Sequence, residues 1–195
     1  MLTVFTDEGR AYAATVINSA PNLVAQIKTT EKDGYNAVQF GFGETKESRV
    51  GKAQLGHAKG KALRHFKEVK NRDDSAIEAD LGGSVDVSTF AVGDKVAVSA
   101  ISKGKGFQGV VKRHGFKGDK RTHGRKHSER SPGSIGGGGR AGGRVIKGMR
   151  MGGRMGNERV TVRNLIVLQV HPETHELLLS GAVPGRRGAL VEVRG

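Results

Sequence analysis

Positive charge in this chain is concentrated in a single glycine-rich stretch that lies between two regions patterned for β-strands. Residues 102 to 159 hold 16 Lys and Arg against only Asp119, Glu129 and Glu158, a net of +13, whereas the rest of the chain holds 17 basic and 16 acidic residues. The same stretch carries 17 of the 31 Gly and just two aromatics, Phe107 and Phe116. So few apolar side chains cannot offset the entropy lost in ordering that much backbone. On its own the stretch is expected to be mostly disordered, and the core must come from its flanks.

Those flanks are rich in Val, Ile, Thr and Phe in short, roughly alternating runs separated by turn residues, the pattern of half-buried strands. Strands are expected near Ala11 to Ile17, Leu23 to Thr29, Tyr35 to Phe42, Ala62 to Val69, Val85 to Phe90 and Lys95 to Ala100. Asp33-Gly34 and Gly93-Asp94 mark turns between them. Strands resume at Val160 to Val170, Leu177 to Val183 and Ala189 to Val193, with the stretch His171 to His175 as a hairpin connection. Ala53 to Lys61 and Phe107 to Arg113 suggest short helices, but neither carries a sustained apolar stripe at helical period. A string of short strands favours a closed barrel or a sandwich, which would also remove exposed sheet edges. The basic insertion would leave such a domain as a loop at one end.

At 195 residues the chain suits one core with an appendage. A net charge of +14 and a pI near 10.4 point to a polyanionic partner, nucleic acid before an anionic membrane surface. The absence of Cys excludes disulfides and thiolate metal sites and is compatible with a reducing cytoplasm. The acidic opening Met1 to Glu8 does not resemble a signal or transit peptide, and no apolar run approaches the length of a membrane span. A soluble protein, neither exported nor imported, is expected.

Several patterns invite a catalytic or metal-binding reading. Gly104-Lys105-Gly106-Phe107-Gln108-Gly109 matches the dinucleotide fingerprint GxGxxG, with Glu129 about 20 residues further on, but no apolar helix and second strand follow to complete the βαβ unit. No phosphate-binding GxxxxGK[ST] loop occurs. His123 and His127 share a spacing that holds a metal on a helix, with His114 as a third donor, yet their neighbours are cationic and RNA contact or simple solvation explains them better. Asp73, Asp74, Glu78 and Asp80 read as a solvated acidic loop rather than a metal cluster. Ser131-Pro132-Gly133-Ser134 reads as a turn rather than a phosphorylation site. Met149, Met151 and Met155 fit packing against RNA or a neighbouring protein and flexible gap-filling equally well. No nucleophile, base and orienting group assemble, so no enzyme activity, small-molecule substrate, metal or cofactor is expected.

The candidate polyanion contacts are the cations and histidines of the insertion: Lys103, Lys105, Lys112, Arg113, His114, Lys117, Lys120, Arg121, His123, Arg125, Lys126, His127, Arg130, Arg140, Arg144, Lys147, Arg150, Arg154 and Arg159. Each phosphate they neutralise releases condensed counterions, so affinity should fall steeply with salt. Arg predominates from Arg121 onward, which suits bidentate phosphate contact and stacking on unpaired bases. Gly104, Gly106, Gly136, Gly137, Gly138 and Gly139 are candidates for close approach of the backbone, where a Cβ would intrude. Gly142, Gly143, Gly152 and Gly153 share that freedom. A solvated flexible linker is the plainer reading of such composition, but a long insertion within a compact domain is uncommon unless it functions.

The run from Ala100 to Arg113, with Ser102-Lys103-Gly104-Lys105-Gly106-Phe107-Gln108-Gly109 at its centre, closely resembles the signature of the universal large-subunit ribosomal protein L-three family. His114-Gly115-Phe116, Ser131 to Gly136, Lys147 to Met151, Gly156 to Val162 and Gly181 to Gly185 follow in the family's order. Weaker similarity at Phe5 to Gly9, Asp33-Gly34-Tyr35 and Gly56-His57 extends it through the first half. The resemblance implies a mainly β fold: a six-stranded translation-protein-type barrel formed by residues 1 to 101 and 159 to 195, with minor short helices. Residues 102 to 158 would then be an irregular extension that threads through large-subunit rRNA toward the peptidyl transferase centre. It further implies a structural, cytoplasmic role in the large ribosomal subunit, early action in assembly, and the neighbours L-fourteen and L-nineteen. Three departures stand out. Ala97 occupies a position usually acidic or amide; the family's customary opening strand has no counterpart ahead of Met1-Leu2-Thr3, leaving one barrel strand unaccounted for; and Gly137-Gly138-Gly139-Arg140 replaces a more varied loop tip, without the glutamine that some relatives methylate. The rival readings are a transient assembly chaperone, which high-salt-washed subunits would not retain, and an enzyme, which would bind a nucleotide saturably.

Overall fold

The structure, a computed structural model, describes residues 1 to 6, 8 to 70, 79 to 139 and 142 to 195. The chain forms two compact units, one of Met1–Ala97, Arg163–Val183 and Arg194–Gly195, the other of Val98–Val162 and Pro184–Val193. Strands dominate: β1 (Leu2–Phe5), β2 (Ala11–Asn18), β3 (Asn22–Lys28), β4 (Ala37–Glu44), β5 (Leu63–Val69), β6 (Ser84–Val85), β7 (Lys95–Ile101), β8 (Phe107–Gln108), β9 (Gly153–Arg154), β10 (Arg159–His171), β11 (Glu176–Ser180) and β12 (Val191–Arg194). Among the described residues three short α-helices accompany them, α1 (Thr30–Asp33), α2 (Lys52–His57) and α3 (Val110–His114). Among the described residues, no helix is long and apolar enough to cross a membrane.

The mainly β class agrees with the alternation of the flanks, but the expected closed six-stranded barrel does not form. The strands instead make a six-stranded sheet in the order β1-β2-β11-β10-β7-β12 and a separate four-stranded sheet in the order β5-β4-β3-β6. One strand also ends sooner, after Val85, where it was expected to run to Phe90. Asp86 accepts the Val87 N–H at 2.6 Å through its side chain, and its carbonyl accepts the Thr89 hydroxyl at 2.9 Å. These bonds favour a 3-10 turn over Val87–Thr89, so β6 stops after two residues. Tyr35 likewise falls outside β4, because Gly34 at φ +80° ends the one-turn helix α1 and donates to the Thr30 carbonyl. The first strand, β1, was not anticipated. Only Val4 in it is buried, yet it pairs with β2 from Leu2↔Ala14 to Phe5↔Ala11.

Burial follows the strand period in β7, whereas β3 and β4 bury the adjacent pairs Val24–Ala25 and Ala37–Val38. Along β7, Val96, Val98 and Ala100 are buried while Lys95 and Ile101 are exposed. β11 departs from the period because Leu177, Leu178 and Leu179 are all buried, the mark of a strand covered on both faces. It is inserted between β2 and β10, and Leu178 packs with Val4, Ala14 and the half-buried Leu168. Each such leucine contributes about 1.5–3 kcal/mol of transfer free energy, so this hairpin anchors the first unit. The strand ends at Gly181, whose left-handed φ of +79° turns the chain while its N–H donates to the Ala13 carbonyl at 2.7 Å.

Candidate nucleic-acid interface

The basic segment leaves the sheet as a two-legged ribbon. The Ser102 N–H donates to the Glu158 carbonyl at 2.9 Å, Lys105 N–H to Met155 at 2.9 Å, and Met155 N–H to Gly106 at 3.0 Å. β8 and β9 continue the ladder with Phe107↔Arg154 and Gln108↔Gly153. The legs come so close at Gly156, φ +71°, that a Cβ there would lie 2.2 Å from the Lys103 carbonyl oxygen.

One turn of helix, α3, braces the ribbon from the side. Val110 is buried at its start, and Gly115, φ +72°, caps its end by donating to the Val111 carbonyl. Arg113 Nη1 donates to the Met151 carbonyl at 2.9 Å, and His114 Nε2 lies 3.1 Å from the same oxygen. The guanidinium needs the space that Gly153 leaves, since a Cβ there would sit 2.5 Å from Arg113 Nη1.

Further out, the described residues from 115 to 152 carry no strand or α-helix, and backbone polar groups are met by turns and a second tie. The Asp119 N–H donates to the Glu129 carbonyl at 3.0 Å, and Gly118 passes so near that its Cβ would be 2.3 Å from that oxygen. Arg121 Nε pairs with Glu129 at 2.8 Å, and Arg125 pairs with Asp119. The Arg125 guanidinium, helped by the Lys120 N–H, holds the Asp119 carboxyl below the usual carboxylate range. Two of the segment's three acids are thereby neutralised locally.

Of the candidate contacts, Lys103, Lys105, Lys112, Lys117, Lys120, Arg121, His123, Arg125, Lys126, His127, Arg130, Arg144, Lys147, Arg150, Arg154 and Arg159 are all exposed. Arg159 is paired with Glu192. Arg113 and His114 are half-buried and engaged within the ribbon as described. Arg140 lies outside the described residues, as do Asp73, Asp74 and Glu78, while Asp80 is exposed. His123 and His127 sit in consecutive turns rather than on a helix, and His123 itself takes φ +59°. Among the described residues no three His, Asp or Glu side chains gather as metal donors do. The GxGxxG loop leads only into β8 and the one-turn α3.

The candidate glycines divide. Gly106, Gly136, Gly137 and Gly139 take positive φ, whereas Gly104 and Gly138 do not. None of the six has a neighbouring atom closer than 3.9 Å to where a Cβ would stand. Within the arm, the glycines that close approach demands are Gly118 and Gly156, each against a backbone carbonyl, and Gly153, against the Arg113 guanidinium; residue type alone does not separate them from the rest. Arg186 and Arg187 were also passed over by a count along the segment; they are exposed in the same compact unit.

What the geometry offers is an exposed, cation-rich arm whose shape is set by backbone ties. The sequence profile described as Ribosomal protein L3 matches residues 68–182, from β5 across the whole arm to the turn after β11. The chain is 52% identical over 197 residues to the large ribosomal subunit protein uL3 of Chloroflexus aggregans, covering 100% of this chain and 92% of that one. It is 49% identical over 195 residues to the uL3 of Herpetosiphon aurantiacus, covering 99% and 91% of the two chains. The uL3 of Carboxydothermus hydrogenoformans is 47% identical over 197 residues, covering 100% and 92%. With the profile match taking in more than half the residues and near-half identity sustained from end to end, the chain belongs to the ribosomal protein L3 family.

Proposed function

We propose that this protein binds large-subunit rRNA directly, with residues 102 to 158 as its principal clamp and residues 1 to 101 and 159 to 195 as a β-structured base that docks beside it. Members of this family are structural constituents of the large ribosomal subunit, placed in the cytoplasmic ribosome, and are not enzymes. On this reading the arm reaches toward the peptidyl transferase centre, takes hold early in assembly, and stabilises the catalytic RNA from outside. L-fourteen and L-nineteen are its protein neighbours. The observation that carries the reading is the arm itself, where fifteen of the candidate contacts stand exposed on a backbone whose described regular structure is the single turn of α3 and two-residue strands at its root. Such a surface has its charge compensated by phosphates, and its affinity is expected to fall with log salt by roughly 0.7–0.9 per phosphate contact.

The test is a salt series of binding to large-subunit rRNA, comparing the intact protein with one in which residues 115 to 156 are replaced by a short Gly-Ser linker. A folded β-base with sharply lower affinity and a flattened salt slope supports the arm as clamp. Unchanged affinity and slope would place recognition on the β-base and refute the assignment.

A further inference from the structure

Phe116, immediately after α3, lines two shallow clefts on the arm. One also contains Lys117, Asp119 and Pro132, and there the Asp119 carboxylate already takes up the charge of Arg125 that a phosphate would need. The other is walled by Ile146, Lys147, Gly148, Met149 and Arg150 and contains no acidic residue. A turn builds it: Met149 N–H donates to the Ile146 carbonyl at 3.2 Å, and Gly148 takes φ +85° at the third position, where glycine is favoured in a type II turn. Lys147 and Arg150 are exposed on this turn, Ile146 is 63% exposed, and Phe116 and Met149 are half-buried.

We propose that the cleft formed by Phe116, Ile146 and Met149 takes an unpaired RNA nucleobase stacked on Phe116, with Lys147 and Arg150 holding the adjoining phosphates. The inference rests on the reading of the arm as an rRNA clamp and adds the class of nucleotide it grips. A ring beside apolar side chains offers a platform to the π-face that every base possesses, while the flanking cations meet the backbone. A paired base in an A-form helix cannot reach such a platform, so the ligand is a loop, bulge or junction nucleotide. An acidic peptide would use the two cations and have no use for the aromatic ring.

The experiment uses the full-length protein with large-subunit rRNA and with a short single-stranded RNA carrying a fluorescent adenine analogue. Phe116→Leu, which keeps apolar bulk, is expected to weaken binding of the short RNA roughly five- to hundred-fold, the range of one lost base–aromatic stack. It should also abolish quenching of the analogue and leave the salt slope unchanged. Phe116→Tyr should restore affinity and quenching, which separates a stacking role from a folding one. Lys147→Gln and Arg150→Gln should each flatten the salt slope by about 0.7 for this single-stranded ligand. If Phe116→Leu binds and quenches like the parent while the parent holds rRNA with a steep salt slope, the cleft assignment fails and the clamp stands. If the parent itself shows no salt-dependent rRNA binding, the clamp reading fails with it. Binding of polyglutamate that depends on Phe116, with no quenching of the RNA probe, would assign the cleft to a protein partner and overturn the proposal.

Discussion

Gly106 and Gly156 take almost the same backbone angle, φ +68° and +71°, yet only Gly156 faces another chain segment at contact distance. Gly106→Ala is therefore expected to cost about 1 kcal/mol, the penalty of a left-handed non-glycine residue, whereas Gly156→Ala adds a clash with the Lys103 carbonyl and should cost clearly more. Urea denaturation of the two variants checks this, and equal midpoints would show that the legs of the ribbon part freely. The difference was not legible in the sequence, where 31 glycines look alike. Composition reports that the backbone needs freedom, but not which glycine has a carbonyl beside it. A second residue-scale case lies in the four-stranded sheet. Lys28 Nζ lies 2.8 Å from Glu68 and donates to the Tyr35 hydroxyl at 2.7 Å, while that hydroxyl donates to Glu68 at 3.0 Å. The Lys28 ammonium first, and Tyr35 second, hold the Glu68 carboxyl below its ordinary value, while Glu68 first, and Tyr35 second, raise Lys28. A carboxyl lowered on folding stabilises above its unfolded pKa of about 4.3 and loses that contribution as pH falls through the lower folded value. Glu68→Gln should thus be less stable than the parent at neutral pH, with the gap closing progressively below about pH 4. Thermal melts across that range test it, and a gap independent of pH would mean that the network adds no net electrostatic stability. The raised Lys28 gives the opposite wing, full stabilisation below about 10.5 and loss as pH climbs toward the folded value.

At the scale of elements, short runs of β-branched and aromatic residues between turn signals located β2, β3, β4, β5, β7 and β10, although strict one-face burial holds only in β7 and around Leu165 and Val167 of β10. Those runs could not give the strands' partners. Pairing β11 between β2 and β10, and setting β3 to β6 in a sheet of their own, depends on contacts far apart in sequence, so the run of strands left barrel and sandwich open, and the closed barrel that the family resemblance implied is not what the pairing makes. β11 is the element on which the first unit depends most. Leu179, fully buried and paired with Thr15 of β2, should cost about 2–5 kcal/mol on truncation to Ala. That loss would appear in denaturation while the salt slope of RNA binding stays as it was, provided the variant is assayed below its melting temperature. Helix α3 makes a complementary case. Sequence composition grouped Arg113 with the phosphate contacts, but the structure commits its guanidinium to the Met151 carbonyl. Arg113→Gln should loosen the ribbon, seen as faster amide exchange at Lys105 and Met155, and change the salt slope by less than the roughly 0.7–0.9 expected when an exposed arm cation is removed. A full-sized change in slope, with exchange unaltered, would return Arg113 to the RNA-contacting set.

For the molecule as a whole, segregation of charge was the feature most readily read from sequence, and it has a consequence that neither residues nor elements carry alone. The β-rich flanks are nearly neutral and buried along their strands, so they hold together without a partner. Between the two backbone ties and beyond the second, the arm has an extended surface and little buried apolar area to resist local opening. Its cations repel one another at low salt, and compensation by phosphate removes that repulsion while it orders the backbone. Two states of one segment follow. In the free protein, trypsin should cut first between Lys117 and Arg150, leaving β-rich flanks that persist longer, because cleavage tracks the local opening free energy when opening and closing are fast. With large-subunit rRNA bound, the same bonds should be protected, and protection should fade as salt is raised in step with the loss of affinity. Mass mapping of the earliest fragments decides the matter. Initial cuts in β2, β10 or β11 would show that the flanks are the weaker part, and cuts in the arm that ignore RNA would mean that its exposed cations do not face phosphate at all.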